Sequence, residues 1–210
     1  MILFDNFVQN IDQLVKNPTF VVAYSGGLDS HVLLHLAYRY CQNRVGSRIR
    51  AVHINHQLHV DSAKWAEHCI SVCSSLKIPC EVIPVDVQKQ AGSSLEALAR
   101  EARYQALGKE LGEGEQLLLA QHQNDQAETF VLQLLRGAGV KGLACMPEKK
   151  SFRQGQIVRP LLKELQRDLV EYAKQYNLIW VEDPSNQDIM FDRNYTRQKL
   201  FPLIEKRWPG

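Results

Sequence analysis

The chain has 210 residues and a net charge of +2, and no apolar run approaches the length of a membrane-spanning helix. This excludes a helical membrane protein and leaves enough chain for a sizeable core, in one α/β domain or one domain with an appendage. The opening stretch, Met1 to Leu14, has no basic start and carries acids early, so it does not read as a secretory signal.

Phe20 to Tyr24 is short, apolar and rich in β-branched and aromatic residues, which predicts a buried strand. Ser25-Gly26-Gly27 ends it with two glycines that permit a tight turn and close approach of backbone to a ligand. Leu28, Val32, Leu33, Leu36 and Ala37 then recur at helical spacing, with Asp29 and Ser30 in the first turn. A strand, a glycine loop and a helix N-terminus aim free N–H groups and a positive dipole end at one point, which suits a phosphate. The loop has neither the lysine of a Walker loop nor the G-x-G-x-x-G spacing of a dinucleotide site. The plainer alternative is a turn that needs glycine only for packing. Asp29 beside bound phosphates would repel them unless it held Mg²⁺.

Ile49 to Ile54 predicts a second strand, followed by the polar loop Asn55 to Asp61. Ala63 to Leu76 reads as a helix and Cys80 to Val85 as a third strand. Ser93-Ser94-Leu95-Glu96 starts a helix that runs to about Leu111. Gln116 to Ala120 is a fourth strand, and Asp125 to Leu135 a helix stopped by Arg136-Gly137-Ala138-Gly139. This alternation predicts a parallel sheet with helices on both faces, and active sites in such sheets lie at the carboxyl ends of the strands. Tyr24-Ser25, His53 to His56 and Gln121 to Asp125 all fall there. Beyond Leu143 the rhythm changes to an extended segment at 156–162, a helix at 167–176 and a short strand from Leu178 to Val181. An acidic loop from Glu182 to Asp192 follows, then a basic amphipathic segment from Arg193 to Lys206 interrupted by Pro202. The expected division is a nucleotide-binding domain over 1–143 and an appended segment over 144–210.

Charge is uneven: 136–167 carries a net +6 and 193–210 a net +4, against −3 over 1–135 and −5 over 168–192. Two basic islands fit either a polyanionic partner larger than a nucleotide or a solvated face. The five cysteines, Cys41, Cys69, Cys73, Cys80 and Cys145, contain no C-x-x-C pair and read as free thiols of a reducing compartment, not as a metal or redox site. His53, His56 and His59 recur every third residue but lack a thiol or carboxylate at ligand spacing, which disfavours zinc. Asp125 and Glu128 share a helix face, as ligand-binding carboxylates or as partners of the helix dipole. Arg100 and Arg103 share another, as an anion clamp or a solvated surface. Trp65, Trp180 and Trp208 read as core or interface aromatics.

Ser25 to Ser30, SGGLDS, resembles the PP-loop of the ATP pyrophosphatase superfamily, whose members split ATP between the α and β phosphates and adenylate a substrate. Further blocks follow in order: Asn55-His56-x-Leu58, Glu96 to Tyr104, Ala120 to Thr129, Arg136 to Gly139 with Gly142-Leu143, Arg159 to Leu162, and Glu182 to Asn194. Together they span residues 20–208 and resemble the N-terminal catalytic region of tRNA(Ile)-lysidine synthetases. One position departs: the family has two adjacent acids where this chain has Asn124-Asp125.

The resemblance implies a cytoplasmic ligase with the adenine nucleotide α-hydrolase-like fold, using ATP with Mg²⁺. It would adenylate the C2 oxygen of the wobble cytidine in tRNA(Ile) with a CAU anticodon. The ε-amine of free L-lysine would then displace AMP. Ser25, Gly26, Gly27, Asp29 and Ser30 would hold the phosphates, Leu28 would pack at the helix start, and His56 would sit near the nucleotide. Asp29 is the Mg²⁺ candidate. Asp125 and Glu128 would bind the lysine amine, the metal or both, while Arg100 or Arg103 would clamp the lysine carboxylate or a phosphate. Arg136, Lys141, Arg159, Arg193 and Arg197 in the basic islands are the tRNA candidates. The resemblance also implies that further tRNA-holding domains follow residue 210, and it leaves a homodimer open. Rival readings are a tRNA thiolase, disfavoured by the missing C-x-x-C, and a non-catalytic ATP-binding module.

Overall fold

The computed structural model describes residues 2–87 and 95–209. Helix α1 (Ile2–Leu14) buries Leu3, Phe7 and Ile11, a stripe spaced four residues apart. There follow β1 (Thr19–Ala23), α2 (Leu28–Gln42), β2 (Arg48–Asn55), α3 (Ser62–Ser75), β3 (Cys80–Pro84), α4 (Leu95–Glu110), β4 (Gln116–Leu118) and α5 (Gln123–Leu135). The short α6 (Val140–Leu143), β5 (Lys149–Phe152), β6 (Gly155–Val158) and α7 (Gln166–Gln175) come next. After a 3₁₀ turn (Pro184–Gln187), α8 (Asp192–Tyr195), a π-helical turn (Thr196–Leu200) and α9 (Phe201–Arg207) form one helical run. The π turn ends two residues before Pro202, which has no N–H to give to the helical ladder.

Among the described residues the strands form one sheet in the order β3-β2-β1-β4-β6-β5, parallel throughout except for β5 against β6. β1 lies in the middle, and Phe20, Val21 and Val22 are fully buried. Alternation along the strand sends Phe20 and Val22 into the cluster built with α1, α2 and α7, and Val21 into the cluster with Leu107 and Leu111 at the α4 end. Burial on both faces is why β1 reads as a continuous apolar run and not an alternating one. The chain steps from β1 outward to β2 and β3, then returns to the other side of β1 at β4. The place where the order reverses is therefore the β1/β4 crevice, the usual ligand site of an open α/β sheet.

The predicted strands and helices through Leu135 are found within one or two residues of their expected limits. The start predicted at Ser93-Ser94 lies outside the described residues. The division expected at residue 143 does not coincide with a break in the sheet, because β6 pairs in parallel with β4 and so extends the sheet itself. β5 was not anticipated: its sequence, Lys149-Lys150-Ser151-Phe152, is polar because it is an exposed edge strand, where lysines discourage further pairing. Leu178 to Val181, expected as a strand, joins no ladder. Its Val181 N–H instead donates to the Gly26 carbonyl at 3.0 Å.

At the start of β6, a Cβ on Gly155 would overlap the Glu115 carbonyl and crowd Leu111, so backbone has to move. Gly155→Ala should lower stability by about 2 kcal/mol, the scale of overpacking a tight site. Urea unfolding with unchanged m-value checks it.

Candidate active site

The glycine loop leaves β1 at the crevice. Gly26 takes the left-handed conformation at φ +86, open to glycine at little cost, and it is buried. Gly27 caps α2 with extended backbone, and the first intrahelical bond runs from the His31 N–H to the Gly27 carbonyl at 3.0 Å. The N–H groups of the preceding first turn therefore have no intrahelical acceptor and face the loop. Ser30 braces the turn. Its Oγ accepts from the Ser25 N–H at 3.2 Å, lies 3.0 Å from Ser25 Oγ and donates to the Gly27 carbonyl at 3.0 Å. Leu28 packs against the core below, and Ser25 is exposed. The result is an anion cradle of backbone N–H groups at a helix N-terminus.

Across the crevice, β4 delivers His122 and α5. His122 is 1% exposed, and its Nε2 stands 3.6 Å from Asp29 Oδ2 and 3.6 Å from Asp125 Oδ2. Asp125 is held by the His122 N–H, which donates to Oδ2 at 3.0 Å. Burial works to lower the His122 pKa, yet Asp29, Asp125 and Glu128 together outweigh it and the net shift is upward. His122 thus stands between the carboxylate of the phosphate loop and that of α5. Asp29 Oδ1 is buried without a hydrogen-bond partner. Such an orphaned carboxylate oxygen beside a phosphate cradle has the chemistry of a cation ligand.

Glu128 lies where it was not expected to. It is fully buried and bound bidentately by Arg197, Nε to Oε1 at 2.6 Å and Nη2 to Oε2 at 3.1 Å, with Arg193 Nε at 3.3 Å. Glu128, expected to face a ligand amine or a metal, faces two guanidiniums in this structure. Arg193 and Arg197, polyanion candidates of the basic tail, are both half-buried against this carboxylate, and Arg193 also donates to Thr129 Oγ1 at 3.0 Å. Arg159 is likewise internal. Its Nε donates to Gln121 Oε1 at 3.0 Å and its Nη1 to the Pro147 carbonyl at 2.9 Å, and burial lowers its pKa. Arg136 and Lys141 do lie on the surface, with Arg136 loosely paired to Asp192 at 3.5 Å.

On the β2 side, His56 is half-buried with an unpartnered Nδ1, and its pKa is lowered by burial first and then by Arg103 and His53. Arg100 and Arg103 both lie over the Tyr104 ring, at 5.0 and 5.6 Å. His53 contacts the Tyr24 carbonyl through Nδ1 at 2.9 Å, and His59 stacks on Trp65, so the three-residue spacing does not converge on one point. Asn124 turns away from the crevice: its Oδ1 accepts from the Gln166 N–H at 3.1 Å and secures the start of α7. The residue that sequence reasoning missed is His122. Its signal was its place at the end of the fourth strand, one residue before a helix with acids in its first turns.

A family model described as a PP-loop domain matches residues 3–204. The chain belongs to the PP-loop family. PP-loop relatives that are similar along nearly all of this chain are tRNA(Ile)-lysidine synthases. That of Coxiella burnetii is 47% identical over 98% of this chain, and that of Pseudomonas putida 46% over 95%. The chain covers 45% and 46% of those two proteins, so it spans less than half the length of the curated relatives it matches. Among solved structures, a U34-tRNA thiolase of Methanococcus maripaludis with a [4Fe-4S] cluster superposes with a TM-score of 0.80 at 17% identity, over 99% of this chain and 72% of that one. An NMN synthetase of Francisella tularensis gives 0.55 at 13%, over 84% of this chain and 71% of that one. At such identities these two show the shared PP-loop fold and nothing finer.

Two outcomes follow from the charges. Arg197→Met removes the bidentate partner of a fully buried carboxylate and should destabilise the protein by about 3 kcal/mol, read by chemical denaturation. A raised His122 pKa means that the folded state holds this proton more tightly than the unfolded chain. Its stabilisation is fully present below the ordinary histidine value of 6.5 and is lost as pH rises through the elevated folded value. The stability difference between wild type and His122→Gln should shrink over that rise. A difference independent of pH would refute the raised His122 pKa.

Proposed function

We propose that the chain is the catalytic region of a tRNA(Ile)-lysidine synthetase. In this reading it adenylates the C2 oxygen of the wobble cytidine of a CAU-anticodon tRNA(Ile) with ATP and then couples free L-lysine. The observation that supports this most directly is the 45–47% identity to such enzymes along nine-tenths or more of the chain. The crevice adds chemistry that suits the reaction.

A pyrimidine oxygen leaves poorly until it is phosphorylated, so adenylation divides one hard displacement into two easier ones. The first-turn N–H groups of α2 receive the charge that develops on the departing pyrophosphate, and Ser25 and Ser30 keep the loop in shape for it. Asp29, with its orphaned Oδ1, would hold Mg²⁺ there, and that ion would neutralise phosphate charge and orient the leaving group. The donor set fits, since Mg²⁺ commonly takes one or two carboxylates and completes its shell with phosphate oxygens and water. His122 fixes the Asp29 carboxylate and the Asp125 carboxylate relative to each other. Asp125, more exposed than Glu128, would receive the lysine amine and its proton. Arg103, beside His56, is the cation placed for the lysine carboxylate or the α-phosphate.

Incubation of the protein with tRNA(Ile), ATP, Mg²⁺ and isotopically labelled lysine, followed by nucleoside mass spectrometry, should show a labelled lysidine. Asp29→Ala should lower pyrophosphate release by at least about 10²-fold while the fold is retained, the scale seen when one charge-stabilising group is removed from an active site. Unchanged release would remove Asp29 from the phosphate site. Labelled lysine absent from the nucleoside, despite released pyrophosphate, would reassign the acceptor.

A further inference from the structure

The junction between β4 and α5 is held by a buried cation that the crevice chemistry does not use. Past β4, the Leu119 N–H still donates to the Val158 carbonyl of β6 at 3.0 Å. Arg159 follows β6, and its own N–H turns to the other neighbour, donating to the Glu148 carbonyl at 2.8 Å. Its side chain is 5% exposed and takes up the link to the β4 side. Nε donates to Gln121 Oε1 at 3.0 Å and Nη1 to the Pro147 carbonyl at 2.9 Å. Both acceptors are uncharged amide oxygens, so they offer a buried cation no opposite charge. What suits a guanidinium to this place is its shape. A planar fork of donors spans two carbonyl oxygens at once, which an ammonium on a flexible stem does not.

The two anchors belong to one ring of contacts. Gln121 precedes His122, whose carbonyl accepts from the Gln126 N–H at 3.2 Å and so opens α5. Pro147 lies in the loop between α6 and β5, and the adjoining Met146 is bonded in both directions to the Gln126 amide. Gln126 Nε2 donates to the Met146 carbonyl at 2.9 Å, and the Met146 N–H donates back to Gln126 Oε1 at 3.0 Å. The ring therefore runs from Gln121 through the first turn of α5 to Gln126, across to Met146 and Pro147, and back through Arg159. His122 and Asp125, the two α5-side groups of the crevice, both sit on the arc between Gln121 and Gln126.

We propose that Arg159 is a positioning residue: by holding Gln121 and Pro147 together, it sets the direction in which His122 and Asp125 enter the crevice. It acts through Gln121 and the loop, not by touching a substrate, and this replaces the polyanion contact that its charge suggested. Misplacing a reacting group by about 1 Å costs up to ~10²-fold in rate, so a ring opened at one bond is felt at the chemistry.

The effect on rate rests on the function proposed above, whereas the effect on the junction does not. The whole chain is compared with Arg159→Lys, which keeps the charge and loses the fork, with Gln121→Ala, and with the double variant. Gln121→Ala leaves the buried guanidinium in place and serves alone if Arg159→Lys fails to fold. Pyrophosphate release with tRNA(Ile), ATP and Mg²⁺ gives kcat and the KM for ATP, and amide hydrogen exchange reads the junction directly. Each single variant should lose about tenfold in kcat at an unchanged KM for ATP. The double variant should lose no more than the worse single one, because both open the same ring. Exchange should quicken over 119–126 and stay unchanged in β1. A full rate in Arg159→Lys would assign the role to charge and overturn the proposal. So would a loss carried by the KM for ATP, or lowered stability with kcat and exchange over 119–126 both unchanged. Wild-type protein that releases no pyrophosphate contradicts the function proposed above, while faster exchange over 119–126 in its variants still upholds Arg159 as the residue that positions the junction.

Discussion

An alternating chain of charges holds this molecule's working end together: Asp29, His122, Asp125, Arg197, Glu128 and Arg193. Successive members lie 3.6, 3.6, 3.9, 2.6 and 3.3 Å apart. Each of the four interior members lies between two groups of opposite kind, acid or base, the condition under which ionisable groups persist away from water. The chain joins three stretches far apart in sequence, namely the start of α2, the start of α5 and the tail run from α8. The phosphate loop is therefore not an isolated turn. Its carboxylate is positioned by a histidine whose pKa the surrounding carboxylates raise, and the second of these carboxylates in turn faces the arginine neutralising Glu128.

The sheet supplies the rigidity this needs. β1 is buried on both faces and paired on both edges, so the loop that leaves it starts from a strand held on every side. Val181, donating to the Gly26 carbonyl, adds a tether from the far end of the sequence. The fold thus encloses the glycine loop from three directions: β1 beneath, α3 behind through Cys69, and the 178–181 segment above.

Much of this was legible in the sequence, and what was not has a physical reason. The strand–glycine–helix unit announces itself because apolar run, turn and helical spacing each follow from local sterics. Asp125 and Glu128 were also visible as a pair, but a spacing of three cannot say whether a solvent-side ligand or a buried arginine answers them. Here one carboxylate faces the crevice and the other is sealed by residues about seventy positions on, a long-range contact that periodicity does not encode. Asn124 illustrates the same limit: its carbonyl caps a helix beginning at Gln166, which no local pattern links to it. His122 went unnoticed because a single histidine at a strand end is ordinary until its neighbours in space are known. β5 was lost for the opposite reason, since an edge strand hides its pattern beneath lysines.

The inward turn of Arg193 and Arg197 changes how the basic tail should be counted. By sequence, residues 193–210 hold five cations and one anion, a surplus that suggests a strong field at the surface. Two of those cations are half-buried and paired with Glu128, which takes up part of their charge. A polyanion approaching this face meets fewer unpaired charges able to replace its condensed counterions, and each arginine that stays committed to Glu128 removes about one unit from the salt dependence of binding. The tail is a clamp on α5 before it is an electrostatic lure.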